Sequence, residues 1–254
     1  MITFSLSNNI IERSLKNKIM KLLNIERNGI ENSKQYTYRV LKENIMNLNL
    51  YPGESISEAE ISKILKISRT PIREAIVKLS EEELISVFPQ KGSYVSKIDL
   101  DLVKEAVFLR NICEEKILEI AIESKNNILL IKELERNLEY QKLAYNLEEN
   151  TEENIYKIFS LDNEFHKSIY DFCNKKNIWK SIKRLSSHYD RIRLLDTIEK
   201  NNILFIIKQH EEIIKIIKEE NLKAVHNLVS SHLVKFEDLI EFFREKYSDY
   251  FLQK

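Results

Sequence analysis

Asp162 and His166 lie four residues apart, which puts a carboxylate and an imidazole on one face of a helix, about a turn from each other. Ile158, Leu161, Phe165 and Ile169 flank them at the border of an apolar face. His210 falls one turn from Ile206, Ile213 and Ile214, and His232 one turn from Leu228, Val229 and Phe236, so both point at a core. Three helices can therefore bring one carboxylate and three imidazoles together in the middle of a bundle. Nitrogen and oxygen ligands of this kind suit divalent Zn, Ni, Mn or Fe, with positions left open for water or a ligand. The spacing is equally met by buried histidines that each bond a backbone group or a tyrosine hydroxyl. His188 and His226 have polar neighbours and no apolar stripe that needs them, and are read as surface residues. A metal with open positions can activate water, so a metal-dependent enzyme is the alternative reading. Against it, the chain has no adjacent His-Asp pair, no H-E-x-x-H, no G-x-S-x-G and no Gly-rich phosphate loop.

A second set of residues suits DNA. In the stretch SRTPIREAIVKLSEEELI, from Ser68 to Ile85, either Ser68 or Thr70 can cap a helix, and Pro71 falls in the first turn, where a missing N–H costs nothing. Ile72, Ala75, Ile76 and Leu79 define its buried side. Arg69, Thr70 and Arg73 sit at the amino end, off that stripe, where a helix entering the major groove places its base-reading side chains.

Local elements present this helix to DNA. Ser57 and Glu60 form a capping-box pattern opening the short helix EAEISKIL, and Lys66-Ile67 turn the chain into Ser68, which makes a helix-turn-helix. Ile85 to Phe88 and Ser93 to Lys97 read as strands around Pro89-Gln90-Lys91-Gly92, a hairpin wing with Lys91 at its tip. Tyr36 to Leu48 precedes them as a further helix.

Beyond Asp99 the pattern becomes long amphipathic helices: Leu100 to about Glu123, Ile128 to about Glu148, Glu152 to Cys173, Ile178 to about Ile198, Ile203 to Glu219 and Leu222 to about Tyr247. With three glycines and three prolines in 254 residues, a large sheet full of tight turns is excluded and the chain is expected to be mainly α. Ile10, Ile11, Leu15, Ile19, Leu22 and Leu23 fall at helical spacing in an N-terminal extension. Cys113 and Cys173 lack paired spacing and are read as reduced core thiols. Lys plus Arg and Asp plus Glu are equal at 40 each, so DNA binding must rest on the placement of Arg69, Arg73, Lys63, Lys66 and Lys91 rather than on bulk charge. No apolar run approaches the roughly 20 residues of a membrane span, and a cytoplasmic protein is expected.

Tyr51-Pro52-Gly53-Glu54, Ser57-Glu58-Ala59-Glu60-Ile61, SRTPIREA, Leu84-Ile85 and Gly92 together resemble the winged helix of the GntR family of bacterial transcription regulators. The resemblance implies DNA contacts from Ser68, Arg69, Thr70, Arg73 and Lys91, with Gly92 letting the wing backbone approach the minor groove. Ala59 stands where many relatives have an arginine, so that contact is expected to be absent. Lys66 and Glu83 stand where glycine is usual at helix ends. LDNEFHKSIYDFCNKKN, KQHEEIIKIIKEENLKAV and SSHLVKF are similar, in order, to the metal-binding segments of the FCD domain of the FadR-like subgroup. By that resemblance Asp162, His166, His210 and His232 take the metal positions, and Arg110 with Glu114 opens the domain. Arg191 and Arg193 are nearby cations that would hold the far end of an effector, and Arg110 is the third effector-binding candidate.

The expected protein is thus mainly α, with an N-terminal extension (1–33), a winged helix-turn-helix with a small β-hairpin wing (34–98) and an all-α, FCD-like helical bundle for effector binding and dimerisation (99–254). The resemblance implies a homodimeric regulator, a repressor in most relatives. Its partners would be a palindromic double-stranded operator and, with a divalent metal, a small carboxylate effector.

Overall fold

The computed structural model describes residues 25–124, 126–146, 152–199, 202–234 and 236–253, so the amphipathic pattern from Ile10 to Leu23 lies outside the described residues. The chain is mainly α, with a winged helix-turn-helix ahead of a helical bundle. Among the described residues, those up to Ile98 and those from Asp249 onward form one compact unit, and Asp99–Ser248 forms a second.

The first unit contains α1 (Ser33–Met46), β1 (Ser55–Ile56), α2 (Glu58–Leu65), α3 (Arg69–Glu81), β2 (Ile85–Phe88) and β3 (Gly92–Val95). A reciprocal capping box starts α1: Asn32 Oδ1 accepts from the Gln35 N–H at 2.9 Å, and Gln35 Oε1 accepts from the Asn32 N–H at 3.0 Å. Ser57 Oγ caps α2 by accepting from the Glu60 N–H at 3.3 Å. Ser68 occupies the capping position of α3 without a side-chain cap bond. Ile72, Ala75, Ile76 and Leu79 of α3 are buried against Val40, Leu41 and Ile45 of α1 in one apolar core. The wing is a three-stranded antiparallel sheet in the order β1-β3-β2, where the sequence indicated two strands. Two residues carry no alternation that could announce β1. Ile98 exchanges backbone hydrogen bonds with Tyr250 and Leu252, which ties the last residues to this unit, and Phe251 is buried there.

Lys66 and Glu83 take the left-handed conformation, at φ 55° and 59°, where a side chain crowds its own carbonyl. Lys66→Gly and Glu83→Gly are each expected to stabilise the unit by about 1 kcal/mol, read as a higher urea midpoint with unchanged slope. A lower midpoint in both would show that the lysine and glutamate side chains contribute more than the strain costs.

The second unit is a bundle of α4 (Leu100–Glu123), α5 (Ile128–Asn146), α6 (Glu152–Phe172), α7 (Lys176–Leu185), α8 (Ser187–Glu199), α9 (Ile203–Lys218), α10 (Leu222–Val234) and α11 (Phe236–Lys246). Its core joins Ile117, Leu118, Leu134, Phe165, Ile169, Trp179, Ile207, Ile214 and Val229, drawn from six of these helices. The single helix expected over Ile178 to Ile198 is two. Ser186 ends α7, its hydroxyl donating to the Ile182 carbonyl at 2.8 Å, and α8 restarts at Ser187. The last expected helix is described on either side of residue 235, which lies outside the described residues, as α10 and α11. Cys113 and Cys173 are free, half-buried thiols packed against the core, and burial pushes Cys173 up to about 11.

Candidate metal centre and nucleic-acid interface

α6, α9 and α10 each contribute one histidine to a single point. His166 and His210 are buried and His232 is half-buried, and each offers a ligand atom within 4.8 Å of the other two. Ring centroids are 5.3 Å apart for His166 and His210, 5.1 Å for His166 and His232, and 5.4 Å for His210 and His232. Three imidazoles held tetrahedrally at about 2.0–2.1 Å from one ion would have centroids about 5 Å apart. His166 Nε2 and His232 Nε2 face each other at 3.2 Å, a separation at which two ring nitrogens either share a proton or face one cation. His210 Nε2 and His232 Nδ1 are buried with no hydrogen-bond partner among the described residues. Asp162 Oδ1 lies 3.6 Å from His210 Nε2. The donor set and the orphaned Nε2 of His210 fit a divalent ion.

The other face of three of the four candidate ligands is occupied, and His232, whose Nδ1 has no partner among the described residues, is the exception. His166 Nδ1 meets Glu114 Oε2 at 3.2 Å, His210 Nδ1 meets Gln141 Oε1 at 2.9 Å, and Arg193 pairs with Asp162 Oδ2. A ring nitrogen that donates outward leaves its partner nitrogen with a lone pair for metal. Phe165 stacks on His210 at 4.0 Å between centroids. Burial lowers the pKa of all three histidines, His232 to about 3, with the neighbouring rings adding to the effect at His210 and His232, so the imidazoles are neutral, as ligands must be. Burial pushes the Glu114 carboxyl up, but Arg110 and then His166 outweigh it and hold it well below the usual carboxylate range.

Of the three effector candidates, Arg193 lines a cleft among the described residues. Arg110 is buried and paired with Glu114. Arg191 is wholly buried, its Nε donating to the Ser187 carbonyl at 3.4 Å and its guanidinium reaching His188 Nδ1 at 3.1 Å. The expectation that His188 is a surface residue is corrected: it is buried and accepts from the Asp99 N–H at 2.9 Å. The cause is α8, where ten of the residues in SHYDRIRLLDTIE are buried despite their charge. His226 is exposed and meets Glu115 at 3.2 Å. Arg193 also binds Asp190 Oδ1 at 2.8 Å and Asn163 Oδ1 at 3.1 Å. The cleft, about 400 Å³ including its mouth, is bounded by Gln141, Asp162, Arg193, Asp196 and the apolar Ile203 and Ile207. Burial raises Asp196 to about 6, which marks the cleft wall as poorly solvated.

On the winged helix, Ser68, Arg69, Thr70 and Arg73 are exposed at the amino end of α3. Arg73 is held bidentately by Glu58 of α2, Nε to Oε1 at 3.1 Å and a terminal nitrogen to Oε2 at 2.9 Å. The same bonds lower the Glu58 pKa. This pairing fixes the guanidinium plane before any DNA arrives. At the wing, the Phe88 carbonyl accepts from the Lys91 N–H at 3.1 Å, and Gly92 at φ 104° has nothing within 4 Å of where a Cβ would stand. Lys91 is exposed at this tip. Lys91→Ala is expected to weaken binding to all duplexes alike and to lower the slope of log affinity against log salt by about 1. A loss confined to one sequence would remove Lys91 from phosphate contact.

Sequence reasoning missed Glu58 as the partner of Arg73, and Gln141 and Asn137 behind His210. A signal existed for the last two: Asn137 and Gln141 are four apart on the face that carries Leu130, Leu134 and Leu138.

Residues 34–95 match the family described as bacterial regulatory proteins, gntR family, and residues 105–235 match the FCD domain. The HTH-type transcriptional repressor RspR of Escherichia coli (strain K12) is 28% identical over 224 residues, covering 87% of this chain and 94% of its own. A regulator of Streptomyces ambofaciens, described as an HTH-type transcriptional regulator in unstable DNA locus, is 32% identical over 205 residues, 80% of this chain and 83% of its own. Among solved structures, E. coli McbR/YncC superposes with a TM-score of 0.66 at 18% identity, over 84% of this chain and 100% of its own, a likeness of fold.

Proposed function

Because this chain belongs to the GntR family of bacterial transcription regulators and carries an FCD domain behind its winged helix, we propose that it is a repressor whose bundle holds a divalent metal and a small carboxylate effector. It is a DNA-binding regulator and not an enzyme, which disposes of the metal-dependent enzyme alternative. Repression is supported by the description of RspR as a repressor.

The observation that carries the metal reading is the orphaned Nε2 of His210, aimed at the meeting point of His166, His232 and Asp162. Those four residues would hold the ion. When bound, it supplies a Lewis-acid centre with open positions for an oxygen ligand. Charge favours an anionic ligand there. Asp162 and Glu114 are already offset by Arg193 and Arg110, so a dication would add two uncompensated positive charges to a buried site. A carboxylate entering by the cleft would meet Arg193, and its competition for that guanidinium would disturb the Arg193 bonds to α6 and α8. Differential affinity for the two arrangements is what an effector needs in order to shift DNA binding.

The DNA complex is proposed as a homodimer on a palindrome in the cytoplasm, with Ser68, Arg69, Thr70 and Arg73 in the major groove and Lys91 and Gly92 at the backbone of the adjacent minor groove. Residues 1–33, 34–98 and 99–254 are proposed as extension, DNA-reading domain and effector and dimerisation domain, with the last few residues returning to the winged-helix unit. The test is a mobility shift on duplexes enriched from a random library, with Zn²⁺-loaded protein and a panel of mono-, di- and tricarboxylates. Release by one class of carboxylate that depends on added metal supports the reading. Binding that no carboxylate changes, with or without metal, rejects the effector assignment.

A further inference from the structure

Among the described residues, three polar groups stand in line behind His210 and away from the meeting point of the histidines. Asn137 Nδ2 lies 3.1 Å from the Leu161 carbonyl, Gln141 Nε2 lies 2.7 Å from Asn137 Oδ1, and Gln141 Oε1 lies 2.9 Å from His210 Nδ1. Asn137, Gln141 and His210 are all buried, so water does not intervene to reverse a bond. One end of this line has a fixed sense, because a backbone carbonyl only accepts. Asn137 must therefore turn its amide nitrogen to Leu161, which leaves its oxygen facing Gln141. Gln141 must then turn its nitrogen to Asn137, which leaves its own oxygen facing the imidazole. An oxygen acceptor at Nδ1 requires a proton there, and a neutral imidazole protonated on Nδ1 carries its lone pair on Nε2. That Nε2 is the buried atom without a partner, 3.6 Å from Asp162 Oδ1.

We propose that Asn137 and Gln141 are positioning residues of the metal centre, a relay that reads the Leu161 carbonyl and sets the His210 tautomer so that the Nε2 lone pair faces the ion. The inference rests on the metal reading of the histidine cluster for its function, but not for its geometry. The relay starts one residue from Asp162 on α6, so the helix that carries two candidate ligands also orients a third through α5. Gln141 further lines the cleft beside Arg193. The outer partner of His210 is thus neutral, whereas that of His166 is the carboxylate of Glu114. A carboxylate behind a histidine raises its basicity more than an amide does, which makes His210 the weaker donor of the pair.

The test uses the full-length protein in two measurements. Long-range ¹⁵N–¹H correlation spectra of the metal-free protein report each tautomer, and competition with a chromophoric chelator reports Zn²⁺ and Ni²⁺ affinity. In the wild type, His210 is expected to show a protonated Nδ1 and a pyridine-type Nε2. Gln141→Leu is expected to give a mixed or reversed tautomer and an affinity lower by about 10- to 100-fold, while Gln141→Glu, which keeps an acceptor oxygen, stays within a few-fold of wild type. Asn137→Ala touches no histidine and is expected to blur the tautomer in the same direction. Circular dichroism and melting curves establish that each variant is folded. A wild-type His210 protonated on Nε2 overturns the relay, and so does a folded Gln141→Leu protein with wild-type tautomer and affinity, or a Gln141→Glu protein as weak as the leucine variant. Wild-type protein with the expected tautomer and no metal affinity overturns instead the metal role, which distinguishes the two failures.

Discussion

Removing metal from the protein with a chelator is expected to lower its thermal midpoint, and restoring Zn²⁺ or Ni²⁺ to raise it again. The candidate ligands come from α6, α9 and α10, three segments that only the folded bundle brings together, so an ion bound by them stabilises the native state alone. At free metal a thousandfold above its dissociation constant the gain is about 4 kcal/mol. His210→Ala and His232→Ala each remove one ligand and are expected to abolish this metal-dependent rise. Their metal-free midpoints also fall, because the rings pack in the core. His210 lies against Phe165 at 4.0 Å between centroids, so some loss of packing accompanies the substitution. The metal-dependent increment, not the absolute midpoint, is the quantity to compare. An increment that survives in both variants would place the ion elsewhere.

Arg73→Ala is expected to weaken specific operator binding by about 1 to 3 kcal/mol, the range for losing one bidentate contact to a base. The side chain is exposed, and Glu58 already holds its guanidinium through two hydrogen bonds. On DNA the arginine can keep one face on Glu58 and offer the other to guanine, and its loss leaves Glu58 as an unpaired carboxylate facing the duplex. Arg69→Ala is expected to cost a similar amount, since Arg69 opens the same helix without a comparable clamp. Both variants should lose discrimination between operator and unrelated DNA, which separates them from Lys91→Ala. Titrations at fixed salt, repeated at several salt concentrations, give both the affinity and the number of phosphate contacts. Wild-type affinity for the operator in Arg73→Ala would remove α3 from the role of recognition helix.

Much of the DNA-reading unit could be read from the chain because its devices are local. A capping serine, a proline in a first turn and an apolar stripe in α3 each act over a few residues, and Lys66 and Glu83 adopt the left-handed conformation that the usual glycines of those positions suggested. β1 escaped notice for the opposite reason, since two residues pair with β3 only through tertiary structure. In the bundle, spacing placed His166, His210 and His232 on inward faces but could not give the distance between faces. α8 misled more thoroughly. Its Asp190, Arg191 and Arg193 look like a solvated face, yet Lys183, Asp190, Arg193 and Asp162 form a paired network that lets the charges be buried. Pairing across helices is invisible to a one-dimensional pattern, and so are the partners behind each histidine. Glu114 was legible only as the companion of Arg110, and Gln141 only as a polar residue in an apolar stripe.

The site is tested most directly by elemental analysis of protein purified without chelator, alongside the His166→Ala, His210→Ala and His232→Ala variants. The expected result is one divalent ion per wild-type chain, and its loss in all three variants under the same conditions. Wild-type protein that holds no ion, takes up none from Zn²⁺, Ni²⁺, Mn²⁺ or Fe²⁺, and melts at the same temperature with or without chelator would contradict the metal centre. The three histidines would then be core residues.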